Sequence, residues 1–101
     1  MFARPACRIG DPDIPHCSPM VRMMGSMNTF VNMRPWSRQL DFNTPHLFFC
    51  PCLPCCCPHM ATISLGSFTV RVNWRGAGRM GDGIFRCTWV ALGSFNVFAG
   101  G

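Results

Sequence analysis

The segment Arg4-Pro5-Ala6-Cys7-Arg8-Ile9-Gly10-Asp11 contains the motif Arg-Pro-x-x-Arg-x-x-Asp, which the chain repeats. The second copy is Arg34-Pro35-Trp36-Ser37-Arg38-Gln39-Leu40-Asp41. The third is Arg75-Gly76-Ala77-Gly78-Arg79-Met80-Gly81-Asp82, in which glycine replaces the proline. Self-similarity within one chain is typical of architectures built from equivalent units. The motif therefore predicts three short repeats around a pseudo-threefold axis.

A second repeated element begins with Gly-Ser and continues as an alternating stretch. Its copies span residues 25–32, 66–73 and 93–100. Alternation with a period of two is the pattern of a half-buried strand. We therefore expect one strand per copy, with one face toward the interior. That face holds Met27, Phe68 and Phe95, then Thr29, Val70 and Val97, then Val31, Val72 and Ala99.

Each Arg-Asp motif is followed at a constant distance by a residue that can bind a metal. His16 lies five residues after Asp11, and His46 lies five residues after Asp41. Cys87 lies five residues after Asp82. Equivalent positions in three repeats converge on a shared axis. The spacing therefore predicts that His16, His46 and Cys87 meet at one metal site.

His59 is the remaining histidine of the chain and the candidate for a fourth ligand. It lies in the long loop of the middle repeat, and its spacing is not repeated. Three imidazoles and a thiolate form a closed tetrahedral set that suits Zn²⁺, with Fe²⁺ as the alternative. Such a set leaves no open position for water or substrate, so we expect no enzymatic activity and no small-molecule substrate.

Composition favours a single small domain, residues 1–101, made of strands and turns. All nine basic residues are arginine, all four acids are aspartate, and lysine, glutamate and tyrosine are absent. Strong helix formers are therefore scarce, whereas residues that favour strands and turns are abundant. The expected fold class is all-β.

Charge and hydropathy argue against a nucleic-acid-binding function and against a membrane-spanning protein. The net charge is +5, but six of the nine arginines lie within the Arg-Asp motifs, where forked hydrogen bonds to carboxylates or carbonyls are expected. We therefore expect no nucleic-acid partner. No apolar run reaches the roughly 18 residues of a membrane span. The N-terminus lacks the apolar segment of a secretory signal, which indicates synthesis in the cytoplasm.

The chain resembles the PAAR-repeat proteins from about Arg4 to Gly101. The resemblance rests on residues 5–11, on the Gly-Ser segments that end at Asn32 and Asn73, and on residues 79–82. It departs from the family at Pro35-Trp36-Ser37-Arg38 and in the third motif, which lacks proline.

The resemblance implies a small cone of short strands with a metal, usually zinc, near its apex. It assigns the metal to His16, His46, His59 and Cys87. It also implies a function: the pointed tip of a contractile injection machine, which caps a trimeric β-helical spike and transiently contacts the target cell's outer membrane. The short termini suggest a bare tip without a toxin, which favours a phage tail in a virion over a secretion-system spike.

The surface expected to meet the spike is the more polar face of the Gly-Ser strands. It carries two phenylalanines, and the cone's interior would then pack against the opposite face. Its residues are Asn28, Phe30, Asn32, Thr69, Arg71, Asn73, Asn96 and Phe98.

An insertion at about residues 47–58 is rich in cysteine and proline and departs from the family. It contains five of the eight cysteines: Cys50, Cys52, Cys55, Cys56 and Cys57. These thiols could be inert small apolar groups, could form disulfides with Cys7 or Cys17 as distant partners, or could bind a second metal. One of them could also displace His59 as the fourth ligand.

Two other functions remain open at the level of sequence. The chain could be a small Cys/His zinc module that binds a protein or a nucleic acid. However, Cys52-Leu53-Pro54-Cys55 has no second Cys-x-x-Cys pair to match it. A secreted, disulfide-stapled domain is the third possibility, and the missing signal argues against it.

Overall fold

The computed structural model describes residues 3–48 and 57–101. Within these ranges the chain is all-β, as predicted, and it forms short strands and turns without helices. No helix there could span a membrane. The strands are β1 (Arg4–Pro5), β2 (Phe30–Val31), β3 (Arg34–Pro35), β4 (His46–Phe48), β5 (Cys57–His59), β6 (Arg71–Val72), β7 (Arg75–Gly76) and β8 (Phe98–Ala99).

Three strand pairs share one antiparallel register. Strand β2 pairs with β3 and β6 pairs with β7, and the two ends of the chain meet where β1 pairs with β8. Two-residue turns join the first two pairs, at Asn32-Met33 and Asn73-Trp74. All four of these residues have positive φ, between 52° and 69°. Positive φ at both positions matches the twist of the flanking strands, which explains the tight hairpins.

Each Arg-Asp motif closes a turn through a forked ion pair. In the first copy, the backbone N–H and the Nε–H of Arg8 both donate to Oδ2 of Asp11 at 2.8 Å. The Nη2 group donates to Oδ1 at 2.9 Å. Arg38 with Asp41 and Arg79 with Asp82 make the same three bonds. The missing proline of the third motif therefore leaves its turn intact.

The first arginine of each motif joins its copy to another one. Arg34 donates to Asp11 at 3.2 Å, Arg75 donates to Asp41 at 3.0 Å, and Arg4 donates to Asp82 at 3.0 Å. These bonds link the first copy to the second, the second to the third, and the third to the first. The prediction that the repeated arginines are structural is thus confirmed.

The Gly-Ser segments form much shorter strands than predicted. Only residues 30–31, 71–72 and 98–99 are strands, and Met27, Phe68 and Phe95 are 94%, 67% and 96% exposed. Their assignment to an interior face was therefore wrong, whereas Val31, Val72 and Ala99 are buried as expected.

The serine of each copy explains the shortening. The Ser26 hydroxyl accepts the N–H groups of Asn28 and Thr29 at 3.1 and 2.9 Å. Ser67 and Ser94 accept the equivalent pairs of N–H groups. These local bonds satisfy the backbone in a turn, so it has no need of a strand partner there.

The glycine before each serine allows two backbones to come close together. A Cβ added at Gly66 would lie 2.5 Å from the carbonyl oxygen of Gly76, and one at Gly93 would lie 2.6 Å from that of Ala6. At Gly25 the closest atoms, on Pro35 and Trp36, would lie 2.9–3.0 Å away. The Gly-Ser pair thus combines close packing with a turn.

Replacing Gly66 with alanine is expected to destabilise the protein by about 1–3 kcal/mol, because the added methyl group displaces backbone. Urea denaturation would measure the free energy of unfolding. Gly83→Ala is the matched control, since its Cβ would meet only Ser64 Oγ at 3.6 Å. Equal stabilities of the two variants would contradict the close approach.

Within residues 3–48 and 57–101, two small apolar clusters lie among many buried polar groups. The first consists of Cys7, Ala61, Ile63, Ile84 and Val90, with the half-buried Cys87 packed against it. The second consists of Val72, Ala77 and Ala99, with Trp36 and Val70 at its edge. The first cluster supports the segment that carries a predicted metal ligand.

Candidate metal centre

The four predicted ligands lie together. One nitrogen from each of His16, His46 and His59 and the sulfur of Cys87 all lie within 4.8 Å of one another, and the group could hold a metal ion. The Cys87 sulfur lies 3.2 Å from Nε2 of His46, 3.2 Å from Nε2 of His16 and 3.6 Å from Nε2 of His59.

Three ligands follow the Arg-Asp motifs, as their spacing predicted. Each motif's aspartate is buried and ion-paired, which fixes the start of the segment that leads to the ligand. Cys87 lies in a tight turn, where the N–H of Ile84 donates to Thr88 O at 2.7 Å and the N–H of Cys87 donates to Ile84 O at 3.0 Å. His16, His46 and Cys87, which are distant in the sequence, thus lie together.

The position of His59 comes from strand register. Strands β4 and β5 pair antiparallel, and His46 lies directly opposite His59. The two ring centroids are 4.3 Å apart, and the planes cross at 66°. The side chains of a directly opposed pair lie on the same face of the sheet, so a single hairpin supplies two of the four ligands.

A hydrogen bond orients His46, the most buried of the three histidines at 4% exposure. Its Nδ1 lies 2.8 Å from the carbonyl oxygen of Thr44. A carbonyl only accepts, so Nδ1 carries the proton and the Nε2 lone pair faces the cluster. Such a bond to the second ring nitrogen is the usual way in which proteins orient a metal-binding imidazole.

Burial prepares the ligands for a cation in different ways. It lowers the pKa of His16 and of His59, and the neighbouring His46 lowers both further. A lowered pKa favours the neutral imidazole, which is the form that binds a metal ion. Burial raises the pKa of the Cys87 thiol. A metal ion must therefore displace a proton from Cys87, because the thiolate is the form that binds.

Arg22 and Asp13 form a buried ion pair that the sequence did not predict. Arg22 and Asp13 are 0% and 1% exposed, and Nη1 of Arg22 donates to Oδ2 of Asp13 at 2.9 Å. Burial raises the pKa of Asp13, while Arg22 opposes that shift. The only sequence feature that sets Asp13 apart is that it is the one aspartate outside the repeated motifs.

Asn43 joins this pair to the hairpin of the metal centre. Its Nδ2 donates to Oδ2 of Asp13 at 3.2 Å, and its Oδ1 accepts the N–H of Ala61 at 2.9 Å. Asn43 precedes His46 by three residues, and Ala61 follows His59 by two. The buried polar cluster thus holds the ends of the hairpin in register.

Apart from the candidate ligand Cys87, the cysteines divide into three groups. Cys57, within the cysteine-rich insertion, and Cys17, outside it, are both disulfide-bonded. This supports the disulfide interpretation for these two cysteines. Cys7 is a free and fully buried thiol, so of the two distant partners considered, Cys17 is the one that is disulfide-bonded. Cys50, Cys52, Cys55 and Cys56 lie outside the described residues, as does any second metal site formed by them.

All eight residues predicted to meet a spike are exposed. Four of them bond in pairs. Asn32 Nδ2 donates to Asn96 Oδ1 at 2.9 Å, and Asn73 Nδ2 donates to Asn28 Oδ1 at 2.8 Å. These asparagines connect the repeats, so they are less available to a partner than the exposed apolar side chains beside them.

The cluster can bind a cation with protein atoms alone. Its ligands come from three parts of the chain, namely His16, the β4–β5 pair and Cys87, and a bound ion would tie these parts together. No known family model matches the chain, and no curated protein is detectably similar to it. The residues themselves must therefore carry any functional conclusion.

Proposed function

We propose that the chain is the metal-stabilised tip of a phage tail, which is a contractile injection machine. In that machine it caps a trimeric β-helical spike and pierces the target cell envelope. Its fold is then a PAAR-type cone with pseudo-threefold repeats and the metal near the apex. The observation that carries the proposal is the closed set of bonds between the three Arg-Asp motifs. Such a set suits a single chain that must match three identical subunits.

The exposed apolar side chains of the Gly-Ser segments support a docking surface. Met27, Phe68 and Phe95 occupy equivalent positions in the three copies, and all are exposed. Met33 and Trp74, at the hairpin tips, are 93% and 92% exposed and have φ of 66° and 69°. Large side chains are unfavourable at positive φ, so their presence there favours a role in binding.

Zinc is the metal that we propose, with Fe²⁺ as the alternative. Zn–N bonds of about 2.0–2.1 Å and Zn–S bonds of about 2.3 Å in a tetrahedron separate the ligand atoms by roughly 3.5 Å. The sulfur–nitrogen distances of 3.2–3.6 Å are close to that value. Four protein ligands complete the tetrahedron, so the role is structural and not catalytic.

The metal would make the tip mechanically stable. A tip that strikes a membrane must not unfold, yet the apolar clusters of this chain are small. Structural zinc contributes apparent binding energies of about 10–16 kcal/mol in zinc-finger peptides. Here it would join His16, the β4–β5 pair and Cys87 and oppose their separation under load.

The test is a binding measurement with the trimeric β-helical spike of the same particle. We expect one chain per trimer by light scattering and one zinc per chain by elemental analysis. Met27→Ser/Phe95→Ser should lose the spike and keep the metal, because both side chains are exposed and distant in sequence from the ligands.

Phe85→Ser/Trp89→Ser, which alters exposed residues beside Cys87, is the matched control and should keep the spike complex. The proposal fails if no one-to-three complex forms. It also fails if the chain instead binds duplex DNA with a steep salt dependence, the behaviour expected of a nucleic-acid-binding zinc module.

A further inference from the structure

Four large apolar side chains near the metal centre are exposed to solvent. Leu47, Met60, Phe85 and Trp89 are 39%, 45%, 60% and 54% exposed. Each lies within two residues of a ligand, so its Cα is within about 8 Å of that ligand's Cα. We call these four residues the apolar collar. Because the ligand atoms lie within 4.8 Å of one another, the four residues belong to one region of the molecule, and an exposed apolar region is a candidate interaction surface.

The side-chain charge on the surface is positive only. All four aspartates of the sequence lie in the described ranges and are at most 5% exposed. Arg86 is exposed and lies between Phe85 and Cys87 in the chain. Its guanidinium carbon lies 5.5 Å from the centre of the Phe85 ring. The collar therefore faces solvent beside a cation, with no carboxylate side chain exposed to oppose an anionic partner.

The turn that carries Cys87 presents this cation outward. Arg86 has a φ of 52°, which is unfavourable for a residue with a side chain. The two backbone bonds between Ile84 and its partners Thr88 and Cys87 hold the turn. A strained turn that exposes an aromatic ring and a guanidinium favours a binding role over a purely structural one.

We propose that the apolar collar and Arg86 bind the interfacial region of an anionic lipid bilayer. Trp89 and Phe85 can place their rings at the level of the lipid headgroups, and Arg86 can pair with lipid phosphates. The positive surface charge attracts such a bilayer and gives no comparable gain with a neutral one. This inference deepens the proposed function by naming the surface that meets the membrane. The role of that surface in membrane puncture rests on the proposed function.

Flotation of the zinc-loaded chain with vesicles tests the inference. One set contains phosphatidylglycerol and phosphatidylcholine, and the other contains phosphatidylcholine alone. We expect the chain to bind the anionic vesicles about tenfold or more tightly than the vesicles of phosphatidylcholine alone. Phe85→Ser/Trp89→Ser should weaken that binding about tenfold or more, since it removes the aromatic anchors. Arg86→Ser should weaken it about fivefold on anionic vesicles only.

Met27→Ser/Phe95→Ser is the matched control, because it removes apolar groups elsewhere that are even more exposed, at 94% and 96%, and it should leave vesicle binding unchanged. Metal content per chain verifies the folding of each variant, and the single Arg86→Ser change keeps the test valid if the double variant misfolds. The inference is overturned if the collar variants bind vesicles like the wild type, if the control loses binding, or if both vesicle sets bind equally.

The two proposals fail separately. A wild-type chain that forms the one-to-three spike complex but ignores anionic vesicles overturns the lipid surface alone. A chain that binds anionic vesicles through the collar but forms no spike complex overturns the proposed function alone.

Discussion

Replacing His46 with alanine is expected to abolish stoichiometric metal binding and to cause the largest loss of thermal stability among single ligand variants. His46 is the most buried ligand histidine, it bonds to Thr44, and it lies opposite His59. With free zinc at a thousandfold its dissociation constant, the metal stabilises the wild type by about 4 kcal/mol. Its loss corresponds to a fall in Tm of roughly 15–30 °C.

Calorimetry with and without a chelator separates the metal's contribution from packing. His16→Ala removes an exposed ligand, so its Tm should match the wild type once the chelator is present. His46→Ala should remain below both, because it also removes a buried ring. Met60→Ser, beside His59, is the control that keeps all four ligands and should retain the metal. If His46→Ala binds one zinc with near-wild-type affinity, the ligand assignment is wrong.

Replacing Arg22 with methionine should cost about 3–5 kcal/mol of unfolding free energy, the usual penalty for leaving one partner of a buried ion pair uncompensated. The guanidinium is fully buried, and it donates to Asp13, to Ser37 Oγ at 3.2 Å and to the carbonyl oxygen of Asp41. Its loss would leave the buried Asp13 carboxylate without a counter-charge. Denaturation of the metal-loaded protein with guanidinium chloride measures the change in unfolding free energy.

Two further variants make this prediction specific. Arg22→Met/Asp13→Leu removes both charges and should recover much of the lost stability, because apolar groups can replace a buried pair at little cost. Arg71→Ala removes an exposed arginine and should change stability by less than about 0.5 kcal/mol. A double variant no more stable than Arg22→Met would show that the loss comes from hydrogen bonds and packing, and not from an unpaired charge.

The Gly-Ser segments show where sequence patterns mislead. The period of two in residues 25–32 is real, but the Ser26 hydroxyl binds two N–H groups and bends the chain before a strand can form. The alternation then continues only at Phe30 and Val31, one exposed and one buried. Hydropathy could not reveal this, because serine is compatible with both structures until its hydrogen bonds are known.

The sequence by itself determined the all-β class, the structural role of the repeated arginines and the convergence of His16, His46 and Cys87. Each depends on local geometry at a fixed spacing: an arginine and an aspartate three residues apart close the same turn in every copy. A ligand at a constant distance from that turn is then expected at an equivalent place.

Tertiary structure alone decided the position of His59, the burial of the Asp13–Arg22 pair and the exposure of the apolar collar. His59 reaches the metal centre through strand register, and Asp13 meets Arg22 within a packed interior. The collar side chains are exposed because the described part of the fold leaves them partly uncovered. His46 and His59 meet across two paired strands, and Asp13 and Arg22 are nine residues apart in the chain. Neither contact follows from the spacing of the repeated motifs.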